Sequence, residues 1–253
     1  MTDIIAVVSH KGGTGKTSLV QNLAYELSHH RVLVVDLDPQ SNLTIGCGQD
    51  PGAIERTVLH AMNAPSDTPD LMMPLTYFDL LPANLDLALA EQHFAGYYDR
   101  NDKLKDALQT IRDRYDYILI DSPPNLGFFA FNTLTAATRA IVTLQCQPYA
   151  YRALEGTLQL VELVRKSNTA LELQAIVLTM YDRRLTLTQS VEHTARQRFG
   201  ELIPKTVIPS NISIAEATLD GVPVAVYAPR ATGAVAYREL TEELFDGKQK
   251  AGA

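Results

Sequence analysis

Between the apolar run DIIAVV and a segment whose apolar residues recur at three- and four-residue spacing, the chain reads SHKGGTGKTS from Ser9 to Ser18. A glycine-rich turn held between a strand and a helix constrains the fold more than any other feature, because that setting is what a phosphate-binding loop requires. Gly12, Gly13 and Gly15 let backbone N–H groups turn inward toward an anion, and the helix expected from Lys16 onward adds its positive end. Thr14 completes the turn. Lys16 is placed to reach β- and γ-phosphates, Thr17 to offer its hydroxyl to Mg²⁺, and Ser18 to lie near the α-phosphate. One position breaks the usual pattern. Where the first glycine of such a loop belongs the chain has His10, and a second lysine, Lys11, follows it.

The rest of the chain supplies the scaffold that such a loop needs. DIIAVVS, RVLVVDL, YDYILID, RAIVTLQ and LQAIVLTM are nearly continuous in apolar, β-branched residues, the mark of strands buried on both faces. Helical patterns separate them in GKTSLVQNLAYELSHH, KLKDALQTIRDRY, ALEGTLQLVELVRK and LTQSVEHTARQRFG. This alternation predicts a single α/β domain over residues 1–253, a mostly parallel twisted sheet with helices on both faces. APSDTPDLMMP reads as a surface loop. At 46% apolar and 20% charged the chain has an ordinary globular balance. Cys47 and Cys146 stand far apart without metal-ligand spacing, which excludes a disulfide framework and a zinc site and suits a reducing cytoplasm. No apolar run approaches membrane-spanning length.

Two further segments put carboxylates at strand ends. VLVVDLDPQSN carries Asp36 and Asp38, and YDYILIDSPPN carries Asp121. The carboxyl edge of a parallel sheet faces the ligand crevice, so these are candidate site residues. The alternative for Asp38 is structural, with Asp38 and Asn42 merely capping the following turn. Pro123 and Pro124 cannot continue a strand ladder and force a turn that could serve as a nucleotide-sensing switch.

Lys-Gly-Gly-x-Gly-Lys-Thr from Lys11 to Thr17 resembles the deviant Walker A signature of the ParA/MinD class of ATPases. The resemblance implies ATP and Mg²⁺ as ligands, and two subunits facing each other across the nucleotides. It makes Lys11 the group that reaches its partner's phosphates, with Lys11, Lys16 and Asp38 catalytic. Asp38 would orient the attacking water, Asp36 would support the Mg²⁺ region, and Asp121 would reach Mg²⁺ as a Walker B carboxylate. LLPANLDLALAE, LQCQ with ALEGTLQLVELV, VLTMYDRR, IPSNISIAEA and PVAVYAPRATGAVAYREL are similar in order to the ParA/Soj branch, chromosome or plasmid partitioning proteins. By that likeness Pro209 and Asn211 border the adenine. The branch implies slow ATP hydrolysis, a homodimer formed with ATP, non-specific double-stranded DNA bound by that dimer, a ParB-like activator, and a cytoplasmic, nucleoid-associated location.

Departures qualify the expectation. A strand begins close to Met1, so no amino-terminal helix-turn-helix domain is expected. VIPSNISIAEA lacks the arginines with which the family often grips DNA, leaving Arg183, Arg184, Arg196, Arg198 and Arg230 as candidate phosphate contacts, each of which could equally be a solvated surface charge. Net charge is −8 over residues 1–138 and +3 over 139–238, within a total of −7. That asymmetry fits a DNA-facing half or chance variation. A weak or rerouted DNA grip keeps a ParA-like positioner of a protein cargo as the alternative. A MinD-like membrane-cycling regulator would need a basic amphipathic tail, whereas TGAVAYRELTEELF is acidic on its polar face, so no membrane partner is expected. The stretch 147–153 is longer than the branch's usual form.

Overall fold

The computed structural model describes residues 2–147 and 150–245. Within 147–153, residues 148 and 149 therefore lie outside the described residues, as does the tail GKQKAGA. Seven strands form one sheet: β1 (Asp3–Val8), β2 (Val32–Asp36), β3 (Met73–Pro74), β4 (Asp79–Leu81), β5 (Tyr117–Asp121), β6 (Arg139–Gln145) and β7 (Glu172–Thr179), in the order β3-β4-β2-β5-β1-β6-β7. Every pairing is parallel except that of β3 with β4.

The helices are α1 (Lys16–Glu26), α2 (Asn42–Gly46), α3 (Val58–Asn63), α4 (Ala90–His93), α5 (Lys103–Gln109), α6 (Phe128–Ala136), α7 (Ala150–Arg165), α8 (Thr186–Phe199), α9 (Ile212–Leu219), α10 (Val224–Tyr227) and α11 (Thr232–Phe245). Successive strand side chains point to opposite faces, so β1 sends Ile4, Ala6 and Val8 to one core and Ile5 and Val7 to the other. The first core is closed by residues of α3 to α8, among them Ala90, Leu104, Phe128 and Val161, and by Phe94 just beyond α4. The second is closed by α1, α2, α9, α10 and α11 through Leu19, Leu23, Leu43, Ala217, Val224 and Tyr237. Apolar burial on both sides explains why the strands read as unbroken hydrophobic runs.

The five strands expected from those runs all form, and β3 and β4 join them as the sheet's edge. The segment read as a surface loop, APSDTPDLMMP, differs from expectation. It winds into a 3₁₀ turn (Pro65–Asp70), buries Thr68 and Leu71, and pairs Met73–Pro74 with β4. A two-residue strand at an edge tolerates proline because one side of its ladder needs no donor.

Candidate nucleotide site

β1 ends at Val8 and α1 begins at Lys16, with the glycine-rich turn between them. Gly13 and Gly15 have φ of 68° and 81°, a region that L side chains rarely occupy. Gly15 is the residue before α1, and among the described residues no side chain caps the helix, which leaves first-turn N–H groups available to an anion. Neighbouring strands brace the turn. Thr14 Oγ1 meets Thr143 Oγ1 of β6 at 2.7 Å, and Thr179 Oγ1 of β7 donates to the Thr14 carbonyl at 2.9 Å. Within the same chain a Cβ on Gly12 would lie 3.7 Å from Pro124, ordinary contact distance.

Parallel register brings the carboxylates together: Asp36 of β2 pairs with Asp121 of β5, and Asp121 also pairs with Val7 of β1. Both are fully buried. Asp121 Oδ2 accepts from Thr17 Oγ1 at 2.6 Å, while its Oδ1 has no hydrogen-bond partner among the described residues. Burial first, then repulsion from Asp36, pushes the Asp121 carboxyl up to about 8, against the opposing pull of Thr17 and Lys16. Lys16 is 6% exposed, and burial lowers its ammonium while Asp121 and Asp38 act to raise it. An orphaned acceptor beside a hydroxyl and an ammonium fits a divalent cation held jointly with phosphate oxygens. Among the described residues no group of His, Cys, Asp and Glu forms a metal cage by itself.

Both carboxylate oxygens of Asp36, the residue expected to support the Mg²⁺ region, are engaged within the chain. Its Oδ2 accepts from the backbone N–H and the hydroxyl of Thr44, at 2.8 and 2.7 Å, and its Oδ1 accepts from Asp38 N at 3.1 Å. With both oxygens engaged, it organises the loop after β2. Burial raises its carboxyl to about 6, with the Thr44 bonds opposing. Thr44 Oγ1 also accepts from Ala83 N, tying the loop to the Pro-Ala-Asn segment. Asp38 is nearly buried, and its Oδ1 accepts from Gln40 N at 2.9 Å.

Gly15 and Ser18 also open onto a mostly apolar cavity of about 470 Å³, lined in part by Met180, Ile208, Pro209, Ile214 and Tyr237. Asn211 borders it but spends its side chain locally. It caps α9 by accepting from Ser213 N, and donates to Thr232 Oγ1 at 2.7 Å. A second cavity, of about 760 Å³, shares Pro209 and Ser210 with the first and gathers Arg183, Arg184, Lys205 and Arg230. Arg196 and Arg198 are elsewhere committed. Arg196 pairs with Glu192 and donates to the carbonyls of Ile203, Pro204 and Lys205, whereas Arg198 pairs with Glu155.

Sequence reasoning passed over Thr44, Thr143 and Thr179. A weak signal existed for two of them, since Thr143 and Thr179 fall near the carboxyl ends of strands, the edge that faces a crevice. Met180 and Tyr237 carried none, because a cavity wall assembled from β7 and α11 is a product of packing.

An AAA domain family model matches residues 2–174. The chain is 41% identical to the chromosome-partitioning ATPase Soj of Thermus thermophilus, covering 98% of this chain and 97% of that protein. It is 38% identical to the sporulation initiation inhibitor protein Soj of Bacillus subtilis, over 96% and 98% of the two chains. Among solved structures, cobyrinic acid a,c-diamide synthase from Mycobacterium smegmatis, crystallised with an ATP analogue and magnesium, superposes with a TM-score of 0.89 at 32% identity, covering 99% of this chain and 97% of that one. MinD from Pyrococcus horikoshii, complexed with Mg-ADP, gives 0.79 at 27% identity, covering 100% and 98%. The order of the loop, the two carboxylate-bearing strand ends and the full-length likeness place this chain in the Soj/ParA family of partitioning ATPases.

Proposed function

We propose that this chain is an ATP-driven dimerising switch for DNA segregation. The observation that carries the reading is that a phosphate seat and an apolar cavity large enough to admit a base share two residues, Gly15 and Ser18. ATP enters with its base among Met180, Ile208, Pro209 and Tyr237, bordered by Asn211, and its phosphates over the turn from Gly12 to Ser18. Lys16 neutralises phosphate charge from a nearly water-free position, where an ammonium acts strongly. Thr17 and Asp121 would hold Mg²⁺, which when bound would screen the charge of the triphosphate. Asp36 holds the loop that carries Asp38, and Asp38 orients the attacking water. Lys11 extends to the nucleotide of a second copy. Closure of that dimer makes a surface for non-specific double-stranded DNA, and a ParB-like partner stimulates an otherwise slow hydrolysis and resets the switch.

Asp38→Ala tests the chemistry. Binding of a fluorescent ATP analogue and ATP-dependent dimerisation are expected to survive, while phosphate release slows about 100-fold or more, the scale of losing a positioned proton acceptor. Wild-type turnover in this variant would remove Asp38 from the mechanism.

A second reading, the positioning of a protein cargo, draws support from α9. That helix contains no Lys or Arg and exposes Ile212 and Leu219. Among the described residues no helix is long and apolar enough to cross a membrane.

A further inference from the structure

The reading of Lys11 as a group that serves a second protomer gives meaning to the bond that holds it at home. Within one chain Lys11 Nζ donates to Gln147 Oε1 at 2.9 Å. Both ends of this contact stand on anchored backbone. On the lysine's side, His10 N donates to Thr157 Oγ1 of α7, a fully buried hydroxyl that itself bonds to the Ala153 carbonyl. On the other side, Gln147 lies two residues beyond the end of β6. Its N–H donates to the Gln145 carbonyl at 2.8 Å, and the preceding Cys146 is buried with its N–H directed to Thr179 O. Gln147 is exposed, so its amide does not serve the core.

We infer that Gln147 is a positioning residue for Lys11: its carboxamide draws the ammonium onto its own chain, and the ease with which it lets go sets how readily two protomers close on nucleotide. An ammonium held down on its own chain two residues past β6 is not extended toward a neighbouring chain, so closure requires this contact to be exchanged for phosphate. The chemistry of the acceptor matters. A neutral amide in contact with water holds a cation weakly, whereas a carboxylate in its place would add Coulomb attraction and charge-assisted hydrogen bonding. Because a symmetric dimer contains the contact twice, any change in it enters the dimerisation constant twice.

The experiment is sedimentation velocity of the full chain with Mg²⁺ and a non-hydrolysable ATP analogue, across protomer concentration, for wild type, Gln147→Ala, Gln147→Glu, Lys11→Ala and Lys11→Ala/Gln147→Ala. Losing one exposed amide contact is worth roughly threefold per protomer, so Gln147→Ala is expected to dimerise at about tenfold lower concentration. Gln147→Glu is expected to need a higher concentration than wild type. Neither substitution should change analogue affinity measured below the dimerisation range, a readout that a merely structural role would disturb. The double variant should match Lys11→Ala. Should Gln147→Ala dimerise like wild type or less readily while Lys11→Ala is defective, the role of Gln147 is overturned and that of Lys11 stands. Should Lys11→Ala dimerise as wild type does, the underlying reading of Lys11 falls instead.

Discussion

Asp121 is completely buried, lies in register with a second buried carboxylate, and keeps one oxygen without a donor. Such a group prefers its neutral form until a cation arrives. Its carboxyl is raised from 3.8 to about 8, so the folded chain retains a proton that the unfolded chain gives up. Below the unfolded value both states are protonated and nothing is lost; as pH climbs toward 8 the unfolded state releases its proton first, and folding weakens. The metal-free, nucleotide-free protein is therefore expected to melt roughly 5 °C lower at pH 8 than at pH 6, on the scale of about 2–4 °C per kcal/mol for a chain of this size. Asp121→Asn should flatten that slope, raise the melting point at pH 8, and abolish the extra stabilisation that Mg²⁺ adds to bound nucleotide. Thermal melts in the presence and absence of EDTA decide it. An unchanged slope in the variant would assign the pH dependence to other groups.

Among the elements, an arginine of α8 that builds the fold contrasts with arginines of two loops that line a cavity. Arg196 reaches three carbonyls beyond the helix end as well as Glu192, fastening α8 to the segment that follows. Arg183 and Arg230 are exposed on the wall of the larger cavity and form no ion pair among the described residues. Arg196→Ala is expected to cost about 1–3 kcal/mol of stability, because partly buried carbonyls lose a charged donor. Arg183→Ala/Arg230→Ala should leave the melting point unchanged, weaken ATP-dependent binding to non-specific duplex, and lower the salt slope by about 2. A double variant with unaltered DNA affinity at low and high salt would direct attention to the cargo reading. None of this division was legible in the sequence, where all five arginines looked alike. Charge can be counted along a chain, but the carbonyls of Ile203 to Lys205 come within reach of Arg196 only after β7, α8 and the following turn have packed. The five long strands and the phosphate turn were legible because local pattern and chirality determine them. The edge strands were not, since two or three residues carry too little periodicity to distinguish a strand from a loop.

For the whole molecule, what matters is whether one chain is a finished unit. Gly12 provides a clean test, because the room around it differs inside and outside the protomer. Among the described residues of the chain a Cβ at this position meets only Pro124, at 3.7 Å, and the backbone has no positive φ that would strain a larger residue. Nothing in the fold of a single copy therefore demands glycine there. If two copies face each other across their phosphate loops, the same Cβ and its methyl groups project into the seam where the backbones must approach. Gly12→Val is accordingly expected to fold with a melting point within about 1 °C of wild type, in line with a substitution that touches no packed feature. It should bind ATP as a monomer, yet fail to dimerise at any accessible concentration and lose hydrolysis and DNA binding together. Light scattering with ATP, set beside nucleotide affinity and melting temperature, separates the outcomes. Loss of nucleotide binding or of stability would show that the glycine serves its own loop, whereas a variant that still dimerises would remove Gly12 from the interface and with it the requirement that Lys11 act across it.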